Sequence, residues 1–262
     1  MTHLPFTQVD AFAHAPFTGN PAAVMPLEAW LDDIILQAIA AENNLAETAF
    51  TVPLDDGEAD YALRWFTPTV EVALCGHATL ASGHVLIGGR DAVRFRTSNA
   101  GVLTVARDGA AYSLSLPAYP PLPREMPEIA HAVGGAPVET LWHDGRYSVL
   151  VYGSEAEVRA LTPDFPLLAQ GGDILYIATV PGETAEVVSR AFAPGAGIDE
   201  DPVTGSAHAV IAPYWAERLG RAAFSAYQAS ARGGYLTCRV EGDRVVLGGT
   251  CVTVIEGVMT LP

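Results

Sequence analysis

The tripeptide FTP at residues 66–68 is followed by GHA at 76–78, and FAP at 192–194 is followed by GSA at 205–207. The tripeptides are 126 residues apart (192 minus 66), and the glycine-led segments are 129 residues apart (205 minus 76). One such match arises easily by chance. Two matches in the same order and at nearly the same separation indicate a duplicated unit.

The repeat continues downstream, where GVLT at 101–104 matches GYLT at 234–237, an offset of 133 residues (234 minus 101). The offsets increase steadily along the chain, as small insertions would cause. A proline-rich stretch at 117–123 separates the two copies, because proline interrupts both helix and sheet. We therefore predict two similar domains, 1–119 and 120–262, with the last strand of the chain able to pack on the first domain.

The apolar patterns predict an α+β fold in which strands outnumber helices. Alternating runs predict strands at 93–96, 102–106, 112–116, 147–151, 236–240 and 245–247. A helix is predicted at 31–43 and another begins at 155–161. The buried face of the first would comprise Leu31, Ile34, Ile35, Ala38 and Ile39.

Two small-residue segments, 76–86 and 205–212, are apolar on all sides and are predicted to be buried helices. We expect the glycine that begins each one to let the chain turn sharply. Backbone N–H groups at a helix start have no acceptor within the helix, and the helix dipole favours an anion there. The two helix starts are therefore candidate binding points for a carboxylate.

The composition excludes several function classes. A net charge of −16 disfavours binding to nucleic acid or anionic lipid, so a small-molecule substrate is expected. All 14 basic residues are arginines. Without lysine the chain cannot form a pyridoxal-phosphate Schiff base, a class I aldolase iminium or a Walker-A phosphate loop. No cofactor is expected.

The sequence contains no apolar run long enough for a membrane span and no secretory leader, so a cytoplasmic protein is expected. The three cysteines are odd in number and form no C-x-x-C pair, which indicates reduced thiols. A metal site made of His77, His84 and His208 is a possibility, but their spacing is not that of metal ligands. No metal is expected.

Several motifs occur in the order found in the phenazine-biosynthesis-protein-like family, and this chain resembles that family over nearly its whole length. They are DAF at 10–12, FTGNPAAV at 17–24, ETAF at 47–50, FTP at 66–68, Glu71, CGHAT at 75–79 and EDPVTGSAH at 200–208. The resemblance implies the diaminopimelate-epimerase-like fold. In that fold two similar domains each wrap a curved, barrel-like sheet around a central helix.

The resemblance also implies a cofactor-independent isomerase that moves a proton on a small carboxylate-bearing substrate, as the family does with a dihydro-hydroxyanthranilate. By the match of motifs Glu47 would carry the proton, with His77 and Asp201 sharing the catalytic work. Gly76, Gly205 and Ser206 would bind the substrate carboxylate. The family commonly has serine before the glutamate, and this chain has Ala46, so the same substrate does not follow.

Other readings stay open at this point. A racemase or epimerase of amino or hydroxy acids in the same fold would use one thiol from each half. Cys75 supplies the first thiol, but residues 201–206 contain none. A hydrolase using Ser206 and His208 lacks the G-x-S-x-G elbow. A non-catalytic protein that binds small anions is compatible with the composition, and a homodimer is plausible because sheet edges often pair. Asn20, Glu71 and His208 are expected to be structural.

Overall fold

The computed structural model describes residues 1–261, which form a mixed α+β protein rich in sheet. Contacts divide the chain into two compact units. Unit 1 combines Met1–Ser115 with the described part of Gly248–Pro262, and unit 2 is Leu116–Leu247. The α+β fold class is confirmed. The predicted duplicated domains, 1–119 and 120–262, stay a prediction.

Unit 1 contains two helices, α1 (Asp33–Asn43) and α2 (Gly76–Leu86). Its strands are β1 (Thr2–Ala11), β2 (Asn20–Pro26), β3 (Glu47–Pro53), β4 (Tyr61–Phe66), β5 (Glu71–Val72), β6 (Ala92–Arg96), β7 (Val102–Asp108), β8 (Ala111–Pro117) and, from the end of the chain, β18 (Cys251–Leu261).

The strands of unit 1 pair in the order β18–β1–β2–β3–β4–β6–β7–β8. The β2–β3 and β4–β6 pairs are parallel and the others are antiparallel. Parallel neighbours need a crossover, and α1 and α2 lie in these two connections. Strand β5 pairs with the last residues of β4, beyond the segment that pairs with β6.

Unit 2 contains the other four helices of the described chain: α3 (Pro127–Val133), α4 (Glu155–Ala160), α5 (Phe165–Ala169) and α6 (Gly205–Leu219). Its strands are β9 (Leu122–Pro123), β10 (Glu139–His143), β11 (Tyr147–Val151), β12 (Leu175–Pro181), β13 (Val187–Ala193), β14 (Ile198–Asp201), β15 (Ala223–Gln228), β16 (Gly234–Glu241) and β17 (Arg244–Gly249).

The strands of unit 2 pair in the order β9–β10–β11–β12–β13–β15–β16. Here β11–β12 and β13–β15 are parallel and the others are antiparallel. Strand β14 pairs with the last residues of β13. Both units therefore show the same succession of parallel and antiparallel steps, with a short strand on the end of the strand that precedes the second crossover.

A buried helix lies in the second parallel crossover of each unit. In unit 1, α2 packs against β1, β2, β3, β6, β7 and β18, and its residues 76–83 are all buried. In unit 2, α6 packs against β11, β12 and β16. The two segments predicted to be buried helices are confirmed, and the second extends beyond the predicted end to Leu219.

The predicted face of the first helix is wrong. Helix α1 begins at Asp33, and it buries Leu36, Ile39 and Ala40, which follow the i, i+3, i+4 spacing. Ile34 is 82% exposed, and Ile35 and Ala38 are exposed as well. Leu31 precedes the helix and is only partly buried. The side of α1 that packs against β3 and β4 is the one that carries Leu36 and Ala40, so of the predicted residues only Ile39 is buried.

The proline-rich stretch at 117–123 takes part in the sheet, contrary to the prediction. Leu122 and Pro123 form β9 and pair with Trp142 and Leu141 of β10. Proline is tolerated there because β9 is a two-residue edge strand. In the part of the chain that the structure describes, no helix has both the length and the apolar character needed to cross a bilayer.

Candidate active site

Both buried helices begin immediately after a residue in an extended conformation. The residue before α2 is Cys75 (φ −139°, ψ 109°), and the residue before α6 is Thr204 (φ −111°, ψ 105°). Gly76 and Gly205 are the first helical residues, and neither has a positive φ. The chain therefore turns by changing from extended to helical backbone, without a left-handed conformation at the glycines. What they contribute is a first helical turn without a side chain over its backbone N–H groups.

Glu47 and His77 lie close together in unit 1. Glu47 is the first residue of β3 and is in register with Ala22 of β2, and His77 lies in the first turn of α2. The Glu47 Oε2 atom is 3.1 Å from His77 Nε2. Glu47 is 8% exposed and His77 is 3% exposed. The two atoms are near but poorly aligned, and within residues 1–261 neither makes a well-formed hydrogen bond.

The second ring nitrogen of His77, Nδ1, lies beside Asn20. The Asn20 side chain is fully buried, and its Nδ2 lies 3.0 Å from His77 Nδ1. Gly19 holds Asn20 in place, since its φ is +68° and a Cβ there would lie 2.3 Å from the Ala11 carbonyl oxygen. A half-turn of the amide exchanges its donor for its acceptor, so Asn20 can serve either protonation state of Nδ1.

Cys75 completes the polar group around His77. Its Sγ is 3.5 Å from His77 Nδ1, and its carbonyl oxygen accepts a hydrogen bond from the Thr79 hydroxyl at 2.5 Å. Burial, together with the nearby Glu47 carboxylate, raises the pKa of the Cys75 thiol to about 11. The thiol is therefore neutral near neutral pH.

The charge state of His77 is set by opposing effects. Burial disfavours the imidazolium, but the Cys75 sulfur and the Glu47 carboxylate outweigh burial, and the pKa of His77 lies well above its usual range. Because the thiol is neutral at pH 7, we attribute the shift chiefly to Glu47. A protonated imidazole beside a buried carboxylate can donate a hydrogen bond and stabilise negative charge that develops nearby.

The start of α6 in unit 2 is held by a continuous hydrogen-bond network. The Thr204 hydroxyl donates to the Asp201 carboxylate. The Thr204 backbone N–H donates to Gln228 Oε1 at 2.8 Å, and Gln228 Nε2 donates to the Asp201 carbonyl oxygen at 2.6 Å. Asp201 is 8% exposed and Gln228 is fully buried. The network holds the loop 201–204 against β15.

Ser206 and His208 have different neighbours, although they are two residues apart. Ser206 is partly buried, and its side chain lies near the hydroxyl of Tyr147, whose pKa burial raises to about 12. His208 Nδ1 lies 2.8 Å from the Thr204 carbonyl oxygen, and Nε2 lies 3.4 Å from Ser189 Oγ. Burial lowers the pKa of His208 to about 4. Since the ring is engaged by Thr204 and Ser189, His208 is not placed as a base for Ser206.

The predicted residues therefore fall into two groups. Glu47, Gly76 and His77 lie together in unit 1. In unit 2, Asp201 ends β14, and Gly205 and Ser206 begin α6. Residues that the sequence analysis gave no chemical role, or did not single out, also contact these groups: Asn20, Thr204, Gln228 and Tyr147. Two of them, Asn20 and Gln228, are amide side chains at the end of an apolar strand, and this pattern could have marked them as buried hydrogen-bonding residues near the site.

Glu71, Ala46 and the alternative metal site can be placed as well. Glu71 is exposed and forms two hydrogen bonds with Arg64, each 2.7 Å long. Ala46 is half-buried and immediately precedes β3. In the alternative metal site, His84 forms hydrogen bonds through Nδ1 with Tyr112 and through Nε2 with Thr253, so neither ring nitrogen is available to bind a metal.

Residues 9–257 match the family model described as phenazine biosynthesis-like protein. A Pseudomonas aeruginosa protein named an uncharacterized isomerase is 49% identical, with 97% of each chain covered. The crystal structure of an Enterococcus faecalis protein of the phenazine biosynthesis protein PhzF family has a TM-score of 0.90 and 43% identity, over 99% of this chain and all of the other. The predicted resemblance is confirmed.

A more distant likeness concerns the fold alone. A hydroxyproline epimerase from Agrobacterium vitis has a TM-score of 0.66 at 13% identity, over 98% of this chain and 92% of the other. The prediction of an enzyme of the isomerase class is confirmed by the names that close relatives carry. Those names leave the substrate open.

Proposed function

Because this chain belongs to the phenazine biosynthesis-like protein family, we propose that it is a cofactor-independent isomerase that moves a proton on a small carboxylate-bearing substrate. The observation that carries the proposal is the buried pair formed by Glu47 and His77, whose facing atoms are 3.1 Å apart. A buried carboxylate with an imidazole at its side is suited to removing and returning a proton.

In the proposed reaction the Glu47 carboxylate removes a proton from a carbon made acidic by conjugation. The protonated Glu47 then returns that proton to a second carbon, so the double bond shifts and the enzyme ends in its starting state. His77 donates a hydrogen bond that stabilises negative charge while the proton is on Glu47. Asn20 holds the ring so that Nε2 faces Glu47 throughout.

We assign unit 2 a share in substrate binding and in proton work. Gly205 and Ser206 present a helix start, which favours an anion, and Gly76 does so in unit 1. Asp201 is buried beside the α6 start and accepts a hydrogen bond from Thr204. We therefore propose Gly76, Gly205 and Ser206 as carboxylate-binding residues and Asp201 as a second acid-base group.

We further propose that the two units arose by duplication, as in the diaminopimelate-epimerase-like fold. Their strands follow the same succession of parallel and antiparallel pairings, and α2 and α6 occupy the same connection. The repeated sequence segments coincide with this correspondence, since GHA at 76–78 begins α2 and GSA at 205–207 begins α6.

The test is proton exchange with solvent. The protein is incubated in D₂O with a panel of amino, hydroxy and conjugated cyclic carboxylic acids, and loss of carbon-bound protons is followed by NMR. We expect exchange and isomerisation of one class of substrate. Glu47→Gln should slow both by about 10²–10⁴-fold, the usual contribution of a general acid-base group.

The matched control is Glu42→Gln, because Glu42 is an exposed glutamate on α1 of the same unit. This variant should exchange at the wild-type rate. If Glu47→Gln exchanged a turned-over substrate as fast as the control did, Glu47 would not be the proton carrier. If no acid in the panel exchanged but the protein bound one tightly, the non-catalytic anion-binding alternative would be favoured.

The alternative function, a racemase or epimerase of the same fold, differs from the proposed isomerase in requiring two cysteines. A two-thiol mechanism would use the residues that precede the two buried helices, and these are Cys75 and Thr204. The second position carries a hydroxyl, which is a far weaker acid than a thiol. We therefore favour the Glu47 mechanism over a two-thiol mechanism.

A further inference from the structure

The residues around His77 bring together three kinds of metal-binding atom. A carboxylate oxygen of Glu47, the sulfur of Cys75 and a ring nitrogen of His77 all lie within 4.8 Å of one another. All three residues are buried, with exposed fractions of 8%, 6% and 3%. Among residues 1–261 they form the one group of three or more such donors that are this close.

The poor alignment of the Glu47–His77 pair is the second observation. His77 Nε2 and Glu47 Oε2 are only 3.1 Å apart, yet within the described chain both lack a well-formed hydrogen bond. Two buried polar atoms in this arrangement can both be satisfied by a third atom that lies between them. A proton shared between the two atoms meets that need during turnover, and a metal ion would meet it for as long as the ion stays bound.

The donor set fits zinc and similar soft divalent ions. Zn²⁺ takes sulfur, nitrogen and oxygen ligands in tetrahedral geometry, which places neighbouring ligand atoms roughly 3.5 Å apart. The observed separations are at most 4.8 Å, so they would have to close by no more than about 1.3 Å to reach that geometry. Three protein ligands also leave the fourth position for water or a substrate oxygen.

Asn20 supplies the support that a metal-bound imidazole needs. A histidine that binds a metal through one nitrogen donates its other N–H to a neighbouring acceptor. His77 Nδ1 already faces the Asn20 amide at 3.0 Å, and a half-turn of the amide presents its oxygen to an Nδ1–H. Nε2, the nitrogen nearest Glu47, is then the one available to the ion.

We propose that Glu47, Cys75 and His77 form a binding site for Zn²⁺ and similar soft divalent ions, which bind reversibly and withdraw Glu47 and His77 from proton transfer. On binding, the Cys75 thiol and Nε2 of the His77 imidazolium each release a proton to solvent, so the sulfur becomes an anionic ligand and Nε2 is freed to bind the ion. The inhibitory effect rests on the proposed isomerase function, whereas the binding itself does not.

The test uses Co²⁺, whose bond to a thiolate gives a near-ultraviolet charge-transfer band. Protein freed of metal with a chelator is titrated with Co²⁺, and Zn²⁺ is then added as competitor. We expect a band that saturates at one ion per chain and that Zn²⁺ abolishes. A wild-type protein without a saturable band would overturn the proposal, whatever the variants do.

Two cysteine variants locate the site. Cys75→Ser should lose the band and bind Zn²⁺ at least about 10-fold more weakly, since even a change outside the ligand set costs that much. Cys238→Ser is the matched control, because Cys238 is also a buried cysteine but is not part of the donor group. Equal bands from the two variants would place the ion elsewhere and refute the site.

Activity separates the two proposals. Zn²⁺ should slow deuterium exchange by the wild type and by Cys238→Ser at the concentration that displaces Co²⁺. If Zn²⁺ binds through Cys75 but exchange continues unchanged, the ion site stands and the assignment of Glu47 as proton carrier fails. If Glu47→Gln abolishes exchange but no ion binds, the carrier stands and the ion site fails.

Discussion

The two buried helices begin in the same way, but their surroundings differ. At the start of α2, His77 contacts Glu47, Asn20 and Cys75, and its pKa is raised well above the usual range. At the start of α6, Thr204 and Gln228 bond to one another and to Asp201, and the pKa of His208 is lowered to about 4. The first start gathers titratable side chains, and the second is held by hydrogen bonds whose donors and acceptors are paired.

This difference shows how one backbone arrangement can be used for two purposes. In both units a helix follows an extended residue, and its first turn presents backbone N–H groups. What differs is the side chain after the leading glycine, which is histidine in α2 and serine in α6. We expect α2 to contribute chiefly to rate and α6 chiefly to binding.

The largest expected effect separates rate from binding directly. With a substrate identified by exchange, His77→Gln should lower kcat by about 10²–10⁴-fold. Ser206→Ala should mainly raise KM, by about 10–100-fold if it loses a hydrogen bond to a charged group. Steady-state kinetics of the two variants measures both. Equal losses of kcat, with KM unchanged in each, would contradict the division of roles.

The second effect concerns His208 and pH. The folded-state pKa is about 4, whereas the unfolded value is about 6.5, so between these values the unfolded chain binds more protons than the folded chain. The contribution is therefore fully present above pH 6.5 and is lost as pH falls toward 4. It amounts to about 3 kcal/mol.

Urea unfolding at several pH values measures this contribution. His208→Asn removes the titrating group, and its free energy of unfolding should fall less steeply between pH 6.5 and pH 4 than that of the wild type. His131→Asn is the control, because His131 is exposed. If His208→Asn and the control followed the same pH profile, His208 would not be held neutral at the start of α6.

A further loss of stability is expected from breaking the network at the start of α6. Gln228→Met keeps the length of the side chain but leaves the Thr204 N–H and the Asp201 carbonyl without their partner. Each unpaired buried group costs about 1–3 kcal/mol. Urea unfolding should show the loss, while Gln170→Met, at an exposed position, should unfold as the wild type does. An unchanged midpoint for Gln228→Met would mean that the network does not hold the loop.

The smallest expected effect concerns how closely α2, compared with α6, approaches the neighbouring sheet. Gly83 is the eighth residue of α2, and the eighth residue of α6 is Ala212. A Cβ at Gly83 would lie 2.3 Å from Val105 Cγ1 of β7, so Gly83→Ala should destabilise by about 1–3 kcal/mol. Gly89→Ala, where nothing lies within 4 Å, is the control. Thermal unfolding of both variants decides whether α2 needs the closer approach.

Periodicity and turn residues were sufficient to locate much of the fold. Apolar patterns predicted strands within β6, β7, β8, β11, β16 and β17, and in β6, β7 and β8 buried residues alternate with more exposed ones. The face of α1 could not be read in the same way. Its apolar residues surround most of the helix, so the face that is buried depends on how α1 packs against β3 and β4.

The candidate site was predictable only where a motif marked it. Glu47 and His77 were named from motifs, but their 3.1 Å separation depends on pairing β3 in parallel with β2, which no local pattern specifies. Gln228 lies 24 residues after Thr204, and only the parallel pairing of β13 with β15 brings the end of β15 to the loop. Contacts of this kind arise from topology, so a single sequence does not reveal them.

The pairing of β1 with β18 gives the chain an unusual order of assembly. Residues 2–11 pair with residues 251–261, so unit 1 needs both ends of the chain, whereas unit 2 is one continuous segment. During synthesis unit 2 has all of its residues before β18 has been made. Glu47 and His77 belong to the unit that is completed last, so the surroundings of this pair are complete only once β18 has been made.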